Sequence, residues 1–586
     1  MKNAFASSDA VVEGEYHTQV QTHSALETHG FVADWKDDIL TVYASTQSTL
    51  SVRDELAAVF SLPKSKVRVI TEFMGGGFGA KFGAGNPGVV ATHLSKQTGV
   101  PVRLFADRKE EHWAYGNRPD SHQWLKLGAT KDGKLKAMEF LHYGTAGVGT
   151  GTGSGGPMNN MYECANKRSR ELDVFIHAGP GTSMRAPGHP QGCFALEQAM
   201  DELAEKLSMD PVQLREINDK SAARRMERKV GAEKFEWSKK WRKPNSDLGP
   251  IKRGVGFAQS VWYRIINMDA ACEIRIGKDG SVEAYSAVQD IGGGIRTVTA
   301  QVVAEELGLN TKDITVKIGD TNSPAGPPSG GSLTTGSFTP AVRNAAYKAK
   351  LVLLEEIASK MGANSGHELA LTENKVTNTA TGKSVSFKAA CAMLAKDQIS
   401  ARAERTPEYG DRPNARMQLG GVQFAEVTVD TETGIIKVHH VVAVHDCARP
   451  MNILTLESQV NGGVLQGISY ALFEDRRMDK FTGMMVNPNF EQYKVLGAKE
   501  TPRIEAYFIE EYIGRSSTDA GGIGEPSTVP TSAAIANAVY NACGVRMKEL
   551  PMSPKRVLAA LGKYTPSVEM ASDNVREAMM QIGGEV

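Results

Sequence analysis

Five glycines fall within the ten residues Met74–Gly83, MGGGFGAKFG. Glycine loses more backbone freedom on folding than any other residue, so such a run marks a place where the chain takes unusual dihedrals or passes close to another group. It follows Lys66–Thr71, which alternates apolar and polar as a strand does, so a fixed element delivers the chain into the loop. Inward-turned N–H groups here suit an anionic ligand, with the side chain of Lys81 close by. The alternative is a succession of plain structural turns.

The order strand, glycine turn, helix recurs along the chain. Strand Ile39–Ala44 gives way to a predicted helix over Val52–Phe60, and Gln47 sits at the changeover, as a ligand-facing amide or as a cap. Helices are also expected from Pro87, over Phe194–Leu207, Thr297–Leu307, Val342–Met361 and Thr531–Cys543. Gly277–Gly280 joins one predicted hairpin, which runs into Gly292, Gly293 and Gly294, and Thr431–Thr433 joins a second. Two related α+β halves follow from this repetition. Ser332 and Thr334 precede a helix, as phosphate binders or as ordinary caps. Tyr143–Pro157, with seven glycines among residues 144–156, reads as a mobile loop over a pocket or a linker, and Arg224–Lys252 as a charged surface connection. Arg185 is one fixed cation between rigid turns, and Glu525, set between Gly524 and Pro526, is a candidate general base or an exposed loop glutamate.

At 586 residues the chain exceeds one hydrophobic core, and about three to five domains or subdomains are expected. The balance of 67 basic against 67 acidic residues gives no basic excess for nucleic acid. Six scattered cysteines form neither a CxxC pair nor a disulfide framework, which fits a reducing compartment. No apolar run approaches a membrane span or a secretory signal, so a cytoplasmic location is expected, with export on a signal-bearing partner as the exception. No His, Cys and acidic residues are convincingly spaced as metal ligands, and no Walker sequence or dinucleotide fingerprint stands in the proper strand–turn–helix setting.

The motifs Met74–Lys81, Arg185–Gly188 with Pro190–Gly192, and Gly524–Pro526 occur in this order. The chain thereby resembles, over nearly its whole length, the molybdenum-binding subunits of the xanthine dehydrogenase and aldehyde oxidase family. The resemblance implies an α+β, multi-domain molybdopterin-binding fold with mixed sheets and packed helices. Its two cofactor-binding domains would span 1–240, incomplete at its N-terminus, and 241–586, with a polar peripheral region near 362–411. It also implies a molybdenum–molybdopterin cofactor, in the cytosine dinucleotide form of many bacterial members, held without metal ligands from protein side chains. Iron–sulfur clusters and FAD would sit on partner subunits, and two readings stand for the N-terminal part: a separate chain completes it, or the sequence is a truncated product.

Carried over residue by residue, the resemblance makes Glu525 the base and Gln47 the amide beside the metal. Gly76, Gly77, Phe78, Gly79, Arg185, Gly292, Gly293, Gly294, Ser332, Thr334 and Gly524 become cofactor contacts. Phe82 stands where purine-hydroxylating relatives carry an acidic substrate contact, so an aldehyde or N-heterocyclic aromatic substrate is expected over xanthine. Gly293 replaces a glutamine common in relatives. A purine dehydrogenase subunit and a noncatalytic scaffold of the same fold are the alternatives.

Overall fold

The computed structural model describes residues 1–407, 418–479, 481–510 and 515–565. Residues 408–411 of the expected polar periphery lie outside them.

Four four-stranded sheets carry the fold. In the first, Val67–Ile70, Ile39–Ala44, Gly30–Lys36 and Val102–Phe105 lie side by side. Ile39–Ala44 and Val67–Ile70 pair in parallel, joined through helix Thr49–Val59. Alternation decides the faces: Leu40, Val42 and Ala44 are buried while Ile39 and Tyr43 face out. Leu40 and Val42 pack with Phe31, Val52, Leu56, Val67 and Val69, so the strand before Gln47 and the strand that opens into the glycine loop share a core of their own.

The second sheet, Ala10–Thr18, Ser121–Ala129, Leu135–Gly144 and Lys167–Asp173, is covered by helix His189–Lys206. The fourth, Arg503–Ile509, Ile436–Asp446, Gln418–Asp430 and Ile251–Tyr263, takes helix Thr531–Cys543 against its Ile251–Tyr263 edge. That contact is close enough to demand glycine. A Cβ on Gly256 would lie 2.2 Å from the Ala538 nitrogen and the Ala534 oxygen, both main-chain atoms that cannot give way. One core joins both layers, with Val12, Leu127, Phe194, Val261, Val427 and Ile535 in a single cluster. The third sheet, Ile314–Ile318, Val282–Ser286, Ala271–Gly277 and Gln398–Glu404, builds a separate core with helices Ile295–Leu307 and Thr334–Ile357. Beside it, strands Leu369–Thr372, Lys375–Asn378 and Ser384–Ser386 form a small meander in the polar region. No helix among the described residues is long and apolar enough to cross a membrane.

Both predicted hairpins form, and helix Thr531–Cys543 agrees with its expected bounds. Helix Thr334–Ile357 starts well before Val342 and holds Pro340 inside it. Burial of Phe338, with the Ser337 and Thr339 hydroxyls bonded to carbonyls one turn back, supports a first stretch that proline would otherwise disfavour. Arg224–Lys252 is not a surface connection. Helices Ala222–Phe235 and Trp237–Lys240 occupy its first part, with Phe235 and Trp237 packed among Phe257, Phe424 and Val442. Its charges misled because they are paired inside: Arg224 and Arg228 each lie 2.7 Å from Asp219. The 143–157 stretch is neither linker nor lid. It packs on the following turn, with Gly181 donating to the Ala146 carbonyl at 2.9 Å and Ile176 to that of Gly147 at 3.1 Å.

Burial pushes the imidazoles of His23, His112, His142, His189 and His445 down to about 4. Below the ordinary histidine value the unfolded chain therefore binds more protons than the folded one, and stability declines as pH falls. The thermal unfolding midpoint should drop progressively between pH 6.5 and 4, and His142→Gln should flatten that dependence; a midpoint flat across this window would contradict the neutral, buried state of these rings.

Candidate active site

Loops from all parts of the chain meet at a cavity of about 500 Å³. Gln47, Gly76–Gly79 and Phe82 line one side, Arg185 and Pro187 another, Ser329–Thr335 and Gly521–Glu525 the rest, with the helix face Thr455–Gly462 beneath.

Gln47 follows strand Ile39–Ala44 and is 2 % exposed. Its Oε1 accepts from the Gly79 N–H at 2.9 Å and the Lys81 N–H at 3.2 Å, and its Nε2 donates to the Ser329 carbonyl at 2.8 Å. Its own main chain repeats the stitch, donating to the Lys81 carbonyl at 2.6 Å and accepting from the Ser329 N–H at 2.8 Å. The amide thus lines the cavity while clamping two loops, with one Nε2 hydrogen to spare. The clamp needs the glycines: a Cβ on Gly77 would lie 2.5 Å from the Gln47 Oε1, and Gly79, at φ +114°, would drive one into the Ser183 carbonyl.

Lys81 is not beside the cavity. It is 1 % exposed and turned inward, its Nζ donating to the Glu27 carbonyl at 2.6 Å and the Ser45 hydroxyl at 2.9 Å, and burial holds its ammonium below the usual range. Acceptors behind the loop claim the charge that the sequence offered to a ligand.

Glu525, 8 % exposed, joins two further loops. Its Oε2 accepts from the Ala186 N–H and its Oε1 from the Gly331 N–H at 2.7 Å, while its own N–H donates to the Ser332 hydroxyl at 2.8 Å. Arg185 donates through Nε to the Gly524 carbonyl, through Nη1 to Gln466 at 3.0 Å, and through Nη2 to the Gln459 carbonyl at 2.8 Å and the Ser527 hydroxyl at 3.0 Å. Burial brings its guanidinium down to about 10, with the Glu525 carboxylate pulling the other way. The Arg185 N–H reaches the Phe78 carbonyl at 2.8 Å, which closes the circuit to the glycine loop.

Thr334 and Thr335 line the cavity where helix Thr334–Ile357 begins, so the helix points toward it first-turn N–H groups that have no intrahelical acceptor. Gly293 reaches the wall; Gly292 and Gly294 donate instead to Asp290 Oδ1, at 2.9 and 3.1 Å. Phe82 points the tip of its ring at Gly330: a Cβ there would come 2.4 Å from its Cζ.

Sequence reasoning missed several wall residues. Gln289 bonds the Ser329 hydroxyl at 2.7 Å, Trp262 donates to the Gly331 carbonyl at 3.0 Å, and Ile265, Met451 and Leu456 add apolar surface. Only Trp262 carried a signal, as a large ring ending a buried strand.

Among the described residues the wall holds neither histidine nor cysteine, which fits a metal that arrives with its own ligands. The donor set fits a large anionic cofactor gripped by backbone: glycine turns on three sides, a helix N-terminus, and open space where Gly293 would carry a side chain.

Two models described as the molybdopterin cofactor-binding domain match residues 1–219 and 229–502. Over 580 residues the chain is 31% identical to the aldehyde oxidoreductase molybdenum-binding subunit PaoC of Escherichia coli O157:H7, covering 95% of this chain and 77% of that one. It is 30% identical over 590 residues to the putative xanthine dehydrogenase molybdenum-binding subunit XdhA of Escherichia coli K12, covering 94% and 77%. Among solved structures, quinoline 2-oxidoreductase from Pseudomonas putida 86 superposes with a TM-score of 0.83 at 20% identity, over 96% of this chain and 78% of that chain. The aldehyde oxidoreductase of Desulfovibrio desulfuricans gives 0.78 at 25% identity, over 95% and 62%. The α+β architecture of mixed sheets and packed helices expected from sequence is the one these structures share.

Gln47→Ala should strand the Gly79 and Lys81 N–H groups, at about 1–3 kcal/mol for each buried donor left without an acceptor. Hydrogen exchange should accelerate at residues 76–82 and 329–332 and stay unchanged in the meander of residues 369–386; protection unaltered in both loops would show that the amide holds neither.

Proposed function

This chain belongs to the xanthine dehydrogenase and aldehyde oxidase family of molybdopterin-dependent oxidoreductases, and from that premise we propose that it is the substrate-oxidising subunit of a molybdenum hydroxylase. The substrate class is an aldehyde or N-heterocyclic aromatic, oxidised with oxygen derived from water, and the electrons pass to iron–sulfur and FAD groups on partner subunits. The observation that carries the reading is the buried carboxylate of Glu525, set in one cavity wall with Gln47, the glycine loop and Arg185.

Gly76–Gly79, Gly293, Ser332, Thr334 and Gly524 would hold the molybdopterin, taken here in its cytosine dinucleotide form, with Arg185 fixing the turn beneath it. Bound there, the cofactor supplies the two-electron redox chemistry. Glu525 takes up a proton at a carboxylate oxygen: each oxygen accepts one backbone N–H and keeps a further lone pair, so the group is aimed without being used up. Phe82, Trp262, Ile265 and Leu456 exclude water and orient an apolar ring or alkyl chain, which favours the aldehyde or aromatic class over a purine. The cavity takes Gln47 and Arg185 from the half before residue 240 and Ser332 and Glu525 from the half after it, consistent with two cofactor-binding halves divided there.

Glu525→Gln should lower turnover with a dye acceptor by at least about 10²-fold per bound molybdenum, the metal read by elemental analysis; undiminished turnover per molybdenum would remove Glu525 as the base. Co-purification should yield a heteromeric assembly with iron–sulfur and flavin subunits. Native mass showing a fully active lone chain would reject that arrangement.

A further inference from the structure

Outside the cavity wall, His17, Asp120 and His122 each present one ligand atom, and these atoms lie within 4.8 Å of one another. Strand pairing builds the cluster. His17 and His122 stand directly opposite on antiparallel strands, their rings 4.4 Å apart, and Tyr143 on the next strand stacks on His122 at 4.5 Å and 5°. Asp120 is aimed by Thr145, whose N–H and hydroxyl both donate to Oδ1 at 2.8 Å, leaving Oδ2 3.6 Å from His122 Nε2. His17 turns Nδ1 toward Glu549 Oε1 at 3.4 Å, and Arg556 holds that same carboxylate oxygen. A carboxylate on one ring nitrogen fixes the tautomer and leaves the other nitrogen as the electron-pair donor, the arrangement that supports histidine metal ligands.

We propose that His17, His122 and Asp120 form a site for a single divalent transition-metal ion of the zinc class, distinct from the cofactor cavity. Two imidazoles and one carboxylate suit zinc, and bonds of 2.0–2.1 Å in a tetrahedron place ligand atoms about 3.4 Å apart. The 3.6 Å between Asp120 and His122 already meets that edge, and side-chain rotation closes the rest. Water takes the fourth position, since all three side chains are only partly buried. The ion would act as a staple. It would join strand Ala10–Thr18 to the start of its neighbour Ser121–Ala129 in the second sheet, and it would brace the segment after helix Thr531–Cys543 indirectly, because the His17 main chain bonds the Lys548 carbonyl at 2.9 Å and the Leu550 N–H at 3.0 Å.

The test uses the full chain without a polyhistidine tag, freed of adventitious metal by chelator and titrated with zinc chloride in a calorimeter. The parent should bind one more zinc than His17→Gln/His122→Gln, with a dissociation constant in the micromolar range or below, and zinc should raise its unfolding midpoint but not that of the double variant. Asp120→Asn, which keeps both rings and the shape of the site, should lose at least about tenfold in zinc affinity. Molybdenum content should be the same in parent and variants, which separates this site from the cofactor. Equal zinc stoichiometry in parent and double variant, or undiminished affinity in Asp120→Asn, overturns the proposal.

Discussion

A carboxylate that accepts one backbone N–H from each of two loops is the constraint on which this cavity depends. Glu525 binds the loop of Ala186 to the loop of Gly331, and around it the Gln47 amide and the Arg185 guanidinium add the glycine loop, the Gly524 turn and the Gln459 helix face. These loops have little side-chain surface to bury, so apolar packing cannot hold them together. Each buried donor left unsatisfied costs about 1–3 kcal/mol; Gln47 and Glu525 remove that cost for the N–H groups of Gly79, Lys81, Ala186 and Gly331, and Arg185 supplies donors to the Gly524 and Gln459 carbonyls. The shape of the site and its stability are therefore the same set of hydrogen bonds. The carboxylate proposed as the base is also a keystone, since its four acceptor positions leave lone pairs beyond the two N–H groups it holds.

The glycines follow from this arrangement as much as from any ligand. Gly77 leaves room for the Gln47 oxygen and Gly79 for the Ser183 carbonyl, so a side chain at either position would break the clamp before a cofactor arrived. Other glycines face inward with nothing built against them. Gly293 has no neighbour near its absent Cβ, and Gly524 has nothing closer than the Ser332 hydroxyl at 3.6 Å. The first kind builds the cradle and the second gives it space. Ligand loop and structural turn, posed as alternatives for residues 74–83, are two uses of one loop.

The fold was legible where a local pattern and its burial agree. Ile39–Ala44 alternates because one face of its sheet packs on Val52 and Leu56, and Thr531–Cys543 reads as a helix because nearly all of it is buried. Charge was the poorest guide. Arg224 and Arg228 looked solvated but pair with Asp219 in the interior, and Lys81 looked like an anion ligand but satisfies carbonyls behind its loop. No spacing rule reveals these partners, since Asp219 and Glu27 are chosen by how helices and turns fold back. The separation of His17 from Asp120 and His122 hid their cluster for the same reason: strand register, which no single segment encodes, brings them together. Gln47, Arg185 and Glu525 were found as residues, but their linkage belongs to the tertiary structure.

Phe82 is mechanically joined to Glu525 through the backbone of Gly330 and Gly331. Its ring rests on the backbone of Gly330, and the next residue, Gly331, donates the N–H that aims Glu525 and accepts from Trp262. A larger group at position 82 would push on Gly330 and, through it, on the hydrogen bond that orients the carboxylate; a smaller one would leave Gly330 unsupported. Close-packed interiors respond to changes as small as a methylene, so the wall at Phe82 cannot be remodelled independently of the Glu525 carboxylate. An acidic residue at this position would add a charge to a mostly apolar wall, and it would also remove the ring on which Gly330 rests. With Glu525 as the base proposed above, substituting Phe82 alone would thus cost activity before it gained any toward a purine, and a new specificity would require the 329–332 loop to change with it.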